Sequence, residues 1–318
     1  MIIKERDKPI ELYQFQALFK RLAANHPKKE IVHRDLKKKV TEINGVKAVD
    51  FPLQFIEDET LILHDVRIPD HNGFFQMDVL LLNWNCIIIL EIKNWYGTIL
   101  FEENGQVIRI SDDKEEEGFP NPVLQAKLQR HRLRKWLNKK GYFNIPILFL
   151  VVICFPSTIL KTSPTVPIPD EVIHANHLIF KWKNIINDEN LFEIPRENLQ
   201  AISADLLRSH TQSKSDLLGK YDIDASELMK GIFCESCNMP TMRKNRMNWF
   251  CSRCNFISKD AHVHAILDYK LLINPIVTNK EMREFLRIEC KHIMKRILQK
   301  EQFKPIDSGA NRKYKILL

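Results

Sequence analysis

"DVLLLNWNCIIILEIKN", residues 78–94, sets two runs of Leu, Val and Ile, 78–82 and 87–93, on either side of the polar tetrad "NWNC". Such β-rich runs around a four-residue turn predict an antiparallel hairpin. If residue 82 pairs with 87, the constant sum of paired positions sets 78 against 91. Asp78 and Glu91 then face each other with Cβ atoms ~4.5–5.5 Å apart. Side chains alternate along a strand, so Glu91 and Lys93 share a face. Two opposed carboxylates beside apolar surface repel, and a divalent cation removes that cost. Mg²⁺ takes one or two carboxylates and keeps places for water and phosphate oxygens. Asp78 and Glu91 are therefore candidate Mg²⁺ (or Mn²⁺) ligands, with Lys93 orienting water or neutralising developing charge, the logic of phosphodiester hydrolysis.

Outward from this hairpin, residues 9–50 read as mainly helical, with a break at Asn44-Gly45, and short apolar runs from 53 to 110 read as strands. The acidic "SDDKEEEG" at 111–118 reads as a loop. Asn121-Pro122 and Gly141 bracket a helix, since proline in the first turn and glycine past the last mark helix ends. On that helix Gln125, Gln129, Arg132 and Trp136 fall on one stripe, and Leu124, Leu128, Leu133 and Leu137 on the apolar side. The run "IPILFLVVICF", 145–155, is a buried strand, and 157–169 is a loop. Strands, helix, strand is the order of an α/β core.

The 318 residues are 44% hydrophobic with a formal charge of +8. No run approaches the ~18 apolar residues that span a bilayer, so no membrane partner is expected. The N-terminus has no signal pattern, which leaves a cytoplasmic protein as the expectation. Charge is uneven: residues 231–318 carry 17 basic side chains against 8 acidic, and residues 119–169 carry eight basic and no acid. Basic zones of this kind suit a polyanion, with nucleic acid, DNA in particular, the expected partner. Lys127, Arg130 and Arg134 on the helix and Arg243, Lys244 and Arg246 further on are the candidate contacts. Protein partners are not read from the sequence.

"GFFQMDVLLLNWNCIIILEIKNWYGTI" followed by "NPVLQAKLQRHRLRKWL" resembles the nuclease-related domain, NERD, of the PD-(D/E)xK phosphodiesterases. The resemblance implies a restriction-endonuclease-like mixed central sheet flanked by helices. It makes Asp78 and Glu91 the metal-binding acids and Lys93 the catalytic lysine. Gln76 matches the polar position of the Q-[IM]-D motif, and Gln125 the glutamine of N-P-x-x-Q. The family's Gly-Glu on the preceding helix reads Gly45-Val46 here. Glu42, one turn earlier, is the nearest acid on that helix.

Cys234, Cys237, Cys251 and Cys254 form C-x2-C-x13-C-x2-C, two knuckles suited to a closed, structural zinc ribbon. His262 and His264 follow, but four thiolates suffice. Cys86, Cys154 and Cys290 stand alone and read as small hydrophobes. The last segment, with two short helices and the strand "KYKILL", resembles a winged helix-turn-helix, whose second helix would enter the major groove. The expected organisation is an N-terminal helical segment (1–40), a NERD-like core (41–160), a peripheral helical extension (161–230), a zinc ribbon (231–260) and a helical or winged-helix tail (261–318). The first functional reading is a Mg²⁺-dependent nuclease. Its alternatives are a catalytically weakened nucleic-acid-binding or regulatory protein, and a scaffold whose basic tail binds an acidic protein.

Overall fold

The computed structural model describes all residues except 57–58, 112, 164–166, 189–192, 214, 246, 302, 310–311 and 318. The chain divides into two compact units, Met1–Lys8 with Val40–Ser213 and Pro9–Lys39 with Lys214–Leu318. The units are not consecutive stretches: residues 9–39 group with the C-terminal residues, and the helix α2 (Lys29–Ala48) contributes to both.

In the first unit, β1 (Ile2–Lys4), β2 (Leu61–Asp70), β3 (Gly73–Leu82), β4 (Ile87–Lys93), β8 (Ile147–Ile153) and β10 (Val172–His174) form one mixed sheet in that order. The predicted hairpin register holds, with Leu82 against Ile87 and Val79 against Leu90. β4 pairs antiparallel with β3 and parallel with β8. As a central strand it is covered on both faces, which is why residues 87–90 read as an unbroken apolar run. Ile87 and Ile89 pack with Ala126, Leu133 and Leu137 of α4 (Pro122–Lys139) and with Ile202 and Leu206 of α6 (Arg196–Ser209). Ile88, Leu90 and Ile92 pack on the other side with Leu53 of α3 (Asp50–Leu53) and with Leu178 and Trp182 of α5 (Leu178–Ile186). The α/β core with a helix-flanked mixed sheet is as expected.

Asn121 caps α4, its side chain accepting from the N–H groups of Val123 and Leu124. The inward stripe of α4 is Val123, Ala126, Gln129, Leu133 and Leu137, whereas Leu124 and Leu128 are exposed, contrary to the sequence reading. Two expected loops contain strands. β7 (Glu116–Phe119) pairs with β6 (Val107–Ile110), helped by the 2.7 Å ion pair of Arg109 and Glu117. β9 (Ile159–Thr162) lies parallel to β5 (Thr98–Phe101), and these four strands make a second sheet, β7-β6-β5-β9.

The expected break at Asn44-Gly45 is absent, and α2 runs through it. Gly45 serves close packing instead, because a methyl group there would overlap the Asn94 side chain, which donates to the Thr41 carbonyl. Gly45→Ala is expected to cost about 1–3 kcal/mol through overpacking. A urea unfolding series in which Gly45→Ala costs less on an Asn94→Gly background, where the overlapping Cβ is gone as well, would identify this contact as the cause.

The second unit holds α1 (Ile10–Arg21), α7 (Leu217–Tyr221) and a three-stranded sheet of β11 (Met242–Asn245), β12 (Asn248–Cys251) and β13 (Ile257–Ser258). After it come α8 (Ala261–Leu272), β14 (Ile276–Thr278), α9 (Asn279–Leu286), α10 (Lys291–Lys300), β15 (Lys304–Pro305) and β16 (Lys313–Lys315). The strands pair in the order β14-β16-β15. Helix, strand, two helices and two strands is the order of a winged helix-turn-helix. Thr278 and Glu281 close a capping box at the start of α9. Cys234, Met242, Trp249 and Cys251 share one hydrophobic core with Val277, Phe285, Met294 and Ile316. The cysteine hairpin and the tail are therefore packed as a single body.

Candidate active site and metal centre

β4 delivers Glu91 to the α4 side of the sheet, where it is 2% exposed. One carboxylate oxygen accepts from Lys93 Nζ at 2.7 Å and the other from Gln129 Nε2 at 2.6 Å. Lys93 Nζ also donates to Gln125 Oε1 at 3.0 Å. Glu91, Lys93 and the two glutamines of α4 are thus one network, and its parts are fixed by strand alternation and by the four-residue spacing on the helix. Arg132, on the same helical stripe, does something else: it grips Asp70 at the β2–β3 turn.

The β2–β3 ladder holds His64 to Val79 and Val66 to Met77 and skips the pair between them, leaving Asp65 and Asp78 opposite each other. Asp65 has φ 51°, a left-handed conformation costly for a non-glycine residue within a strand. It breaks the alternation, so that Leu63 and Val66 both face the α4-side core. Asp78 accepts from the Ile92 N–H at 2.9 Å, one residue beyond Glu91. Its carboxyl is pushed up to about 7, first by burial and then by the Glu91 charge. Opposing carboxylates in this setting are what the sequence predicts, and Asp78 and Glu91 are the two acids here that could hold a divalent cation, whose charge would relieve their repulsion.

Arg6 occupies the flank nearest α2. It donates to Asp50 at 3.0 Å and to the Val46 carbonyl at 3.2 Å, and lies 3.8 Å from Asp65. Burial raises the Asp65 carboxyl against the pull of Arg6. Val46 is half-buried against the core, and Glu42 is exposed. Gln76 is exposed on β3 opposite Arg67. Lys127, Arg130 and Arg134 line one pocket of about 330 Å³ with His131 and Ile147. Arg134 is held there by the Ile145 carbonyl, and Arg130 lies 5.1 Å over the Phe149 ring.

Residues 41–154 match the nuclease-related domain, NERD. No curated protein and no solved structure matches the chain. The NERD match ends at Cys154, directly after β8, so it spans β2 to β8 with the hairpin and α4 inside it. Of the further residues at this site, Gln129 had a signal in the sequence, its place on the α4 glutamine stripe four residues from Gln125. Arg6 and Asp65 had none, since they meet only through the fold.

A titration experiment follows from Asp78. Its folded pKa lies above the unfolded value of ~3.9, so the folded state binds more protons between the two, and stability falls as pH rises from about 4 to about 7. Asp78→Asn removes this dependence and can keep the bond from Ile92. Without added Mg²⁺ or Mn²⁺, the variant is expected to gain on the wild type by at most about 4 kcal/mol between pH 4 and pH 8, at ~1.4 kcal/mol per pH unit. Urea unfolding at the two pH values reads the difference, and an unchanged gap would refute it.

In the second unit the four sulfurs of Cys234, Cys237, Cys251 and Cys254 lie within 4.8 Å of one another. The Cys234–Cys254 and Cys237–Cys251 separations are both 3.6 Å. A disulfide would need ~2.05 Å. A tetrahedral zinc with Zn–S of ~2.3 Å sets its sulfurs ~3.8 Å apart. Each knuckle ends on an asparagine in the left-handed region, Asn238 and Asn255, which turns the chain back over the thiolates. Burial works against ionisation of Cys251, yet Thr241 and the N–H groups of Cys254 and Arg253 bring it down to about 6. This cluster can hold a structural zinc. His262 is no ligand: it is buried, accepts from Trp249 Nε1 at 3.0 Å and meets Glu301 at 3.1 Å. Cys290 is exposed, against the expectation of a buried hydrophobe, because it caps α10 from outside the core. Arg243 is exposed and Lys244 half-buried on β11, while Arg246 lies outside the described residues. No described helix is long and apolar enough to cross a membrane.

Proposed function

We propose that the NERD unit is a divalent-cation-dependent phosphodiesterase acting on nucleic acid, DNA in preference to RNA. The observation that carries this reading is the half-buried Asp78 under the charge of the buried Glu91, with Lys93 held between Glu91 and Gln125. Asp78 and Glu91 would hold Mg²⁺ or Mn²⁺, which when bound supplies charge at a phosphoryl oxygen and a water of lowered pKa. Lys93 has three N–H donors. Two are engaged by Glu91 and Gln125, and the third is available to a phosphate oxygen or to the attacking water. Gln129 fixes the Glu91 carboxylate from the other side, so the acid keeps one rotamer through the reaction. The preference for DNA rests on α10, whose exposed face carries Lys291, Lys295, Arg296 and Lys300 and no acid. A helix of that kind in a winged-helix order suits a duplex groove. Purified protein is expected to cleave duplex, nicked or single-stranded DNA on addition of Mg²⁺ or Mn²⁺. No cleavage across those substrates and RNA would overturn the assignment.

A second reading has its own observation. Val46 stands where the family carries an acid, and the neighbouring space holds Arg6, a cation. In that reading the NERD fold binds no catalytic metal, and the protein acts by holding nucleic acid through the zinc hairpin and α10. Metal titration separates the two: Mn²⁺ affinity that Asp78→Asn abolishes belongs to the enzyme, and its absence to the binding protein.

A further inference from the structure

A trough of about 890 Å³ opens in the second unit between the cysteine hairpin and the turn that joins α9 to α10. Its floor is apolar, formed by Met242, Ile288 and Ile293. Its rim carries four cations, Arg243 and Lys244 from β11 and Arg283 and Arg287 from the end of α9. Glu284 and Glu289 share the rim and leave it with a surplus of positive charge. Arg283 is held in place, donating to Asn279 Oδ1 at 3.1 Å and to the Glu289 carbonyl at 2.9 Å. These bonds occupy two of the five N–H donors of a guanidinium and orient the rest. Arg287 is exposed and takes φ 54° at the C-cap of α9, a place where glycine is the usual residue. An arginine kept there at a conformational cost points to a use for its side chain.

An apolar floor under a cationic rim matches the two halves of a nucleotide, a flat base and its phosphate. In a duplex the base is stacked away inside the helix, so the floor would have nothing to cover; a single strand presents both parts together. The volume is within the ~300–1,000 Å³ usual for ligand sites. We propose that this trough binds a nucleotide of single-stranded nucleic acid, the base on the apolar floor and the flanking phosphates on Arg243, Lys244, Arg283 and Arg287. It deepens the nuclease reading by adding a strand-holding site, but its binding is measurable without any cleavage.

The test uses full-length, zinc-loaded protein carrying Glu91→Gln, without added Mg²⁺, and a fluorescein-labelled single-stranded DNA 12-mer read by anisotropy. Arg243→Gln with Arg287→Gln is expected to weaken binding at least ~10-fold and to flatten the log–log salt slope by ~1.4, two phosphate contacts' worth. Lys259→Gln with Lys313→Gln makes the same charge change outside the trough and is expected to stay within about twofold of the parent. Zinc content and thermal midpoint check that both variants are folded. An independent readout on the unaltered rim is Cys290, an exposed thiol lining the trough. Saturating 12-mer is expected to slow its alkylation by iodoacetamide about fivefold or more. A nucleoside 5′-monophosphate is expected to compete only weakly; competition as strong as that of the 12-mer makes the ligand a free nucleotide and overturns the strand assignment. Equal losses in the two double variants, or Cys290 reactivity unmoved by the oligonucleotide, overturns the site. Should these results hold while no substrate is cut by the wild type, the nuclease reading falls and the trough stands.

Discussion

Glu91→Ala is expected to lower Mg²⁺-dependent cleavage by at least ~10³-fold, several kcal/mol of transition-state stabilisation at ~1.4 kcal/mol per tenfold. The size follows from how much passes through one carboxylate: it is half of the acid pair, the partner of Lys93 and the acceptor for Gln129. Alanine removes all three roles and leaves a lysine beside a void. Glu91→Gln separates them, keeping the volume and an acceptor for Lys93 while withdrawing the charge. If the carboxylate is there for a cation, the glutamine variant is as inactive as the alanine one and loses Mn²⁺ affinity, whereas Lys93→Ala loses turnover and keeps the metal. Binding of the 12-mer through the second unit is expected to survive in all three. Cleavage that persists in Glu91→Gln would mean that the activity belongs to some other group.

The hairpin and its acids were legible because every step is local. Two apolar runs and a four-residue turn leave one register, and extending that register by one pair opposes Asp78 and Glu91. The cysteine knuckles were legible for the same reason, each spanning two intervening residues. Misreadings arose where tertiary contact overrides a local signal. Asn-Gly is an ordinary turn signal, but at Gly45 the missing Cβ admits the Asn94 side chain, and the helix continues. Acids at 116 and 117 look like loop until β6 supplies a partner and Arg109 a countercharge. Arg6 and Asp65 are 59 positions apart, and their meeting beside Asp78 needs β1 against β2 and an interrupted β2–β3 ladder, neither of which has a local signature. The shared core of the cysteine hairpin and the tail is of the same kind: both modules could be named from the sequence, but not the packing that joins them.

Removing the metal from the cysteine cluster is expected to unfold the second unit. Structural zinc in small modules contributes about 10–16 kcal/mol of apparent binding free energy at neutral pH, comparable with or larger than the ~5–15 kcal/mol that stabilises a typical domain. Here the loss would not stay within the hairpin, because Cys234 and Cys251 are buried in the same core as Phe285 of α9 and Met294 and Leu298 of α10. Four uncompensated thiolates within 4.8 Å of one another repel, two of them inside that core, and protonating them leaves weak donors in place of four metal bonds. Trp249 is 1% exposed beside Cys251 and reports the event through its near-ultraviolet circular dichroism. With the metal bound, an aromatic disulfide reagent is expected to find one fast thiol, Cys290, since Cys86 and Cys154 are buried and the cluster is ligated. After treatment with 1,10-phenanthroline the four cluster thiols should react as well, the tryptophan signal should collapse, and binding of the 12-mer should go with it. Cys251→Ser should reproduce the loss of the tryptophan signal and of 12-mer binding without chelator, with its three remaining cluster thiols reactive. Metal analysis is expected to give one zinc per chain; a protein that purifies without zinc, keeps its tryptophan signal and still shows a single fast thiol would refute a structural metal and leave the 3.6 Å sulfur separations without a cause.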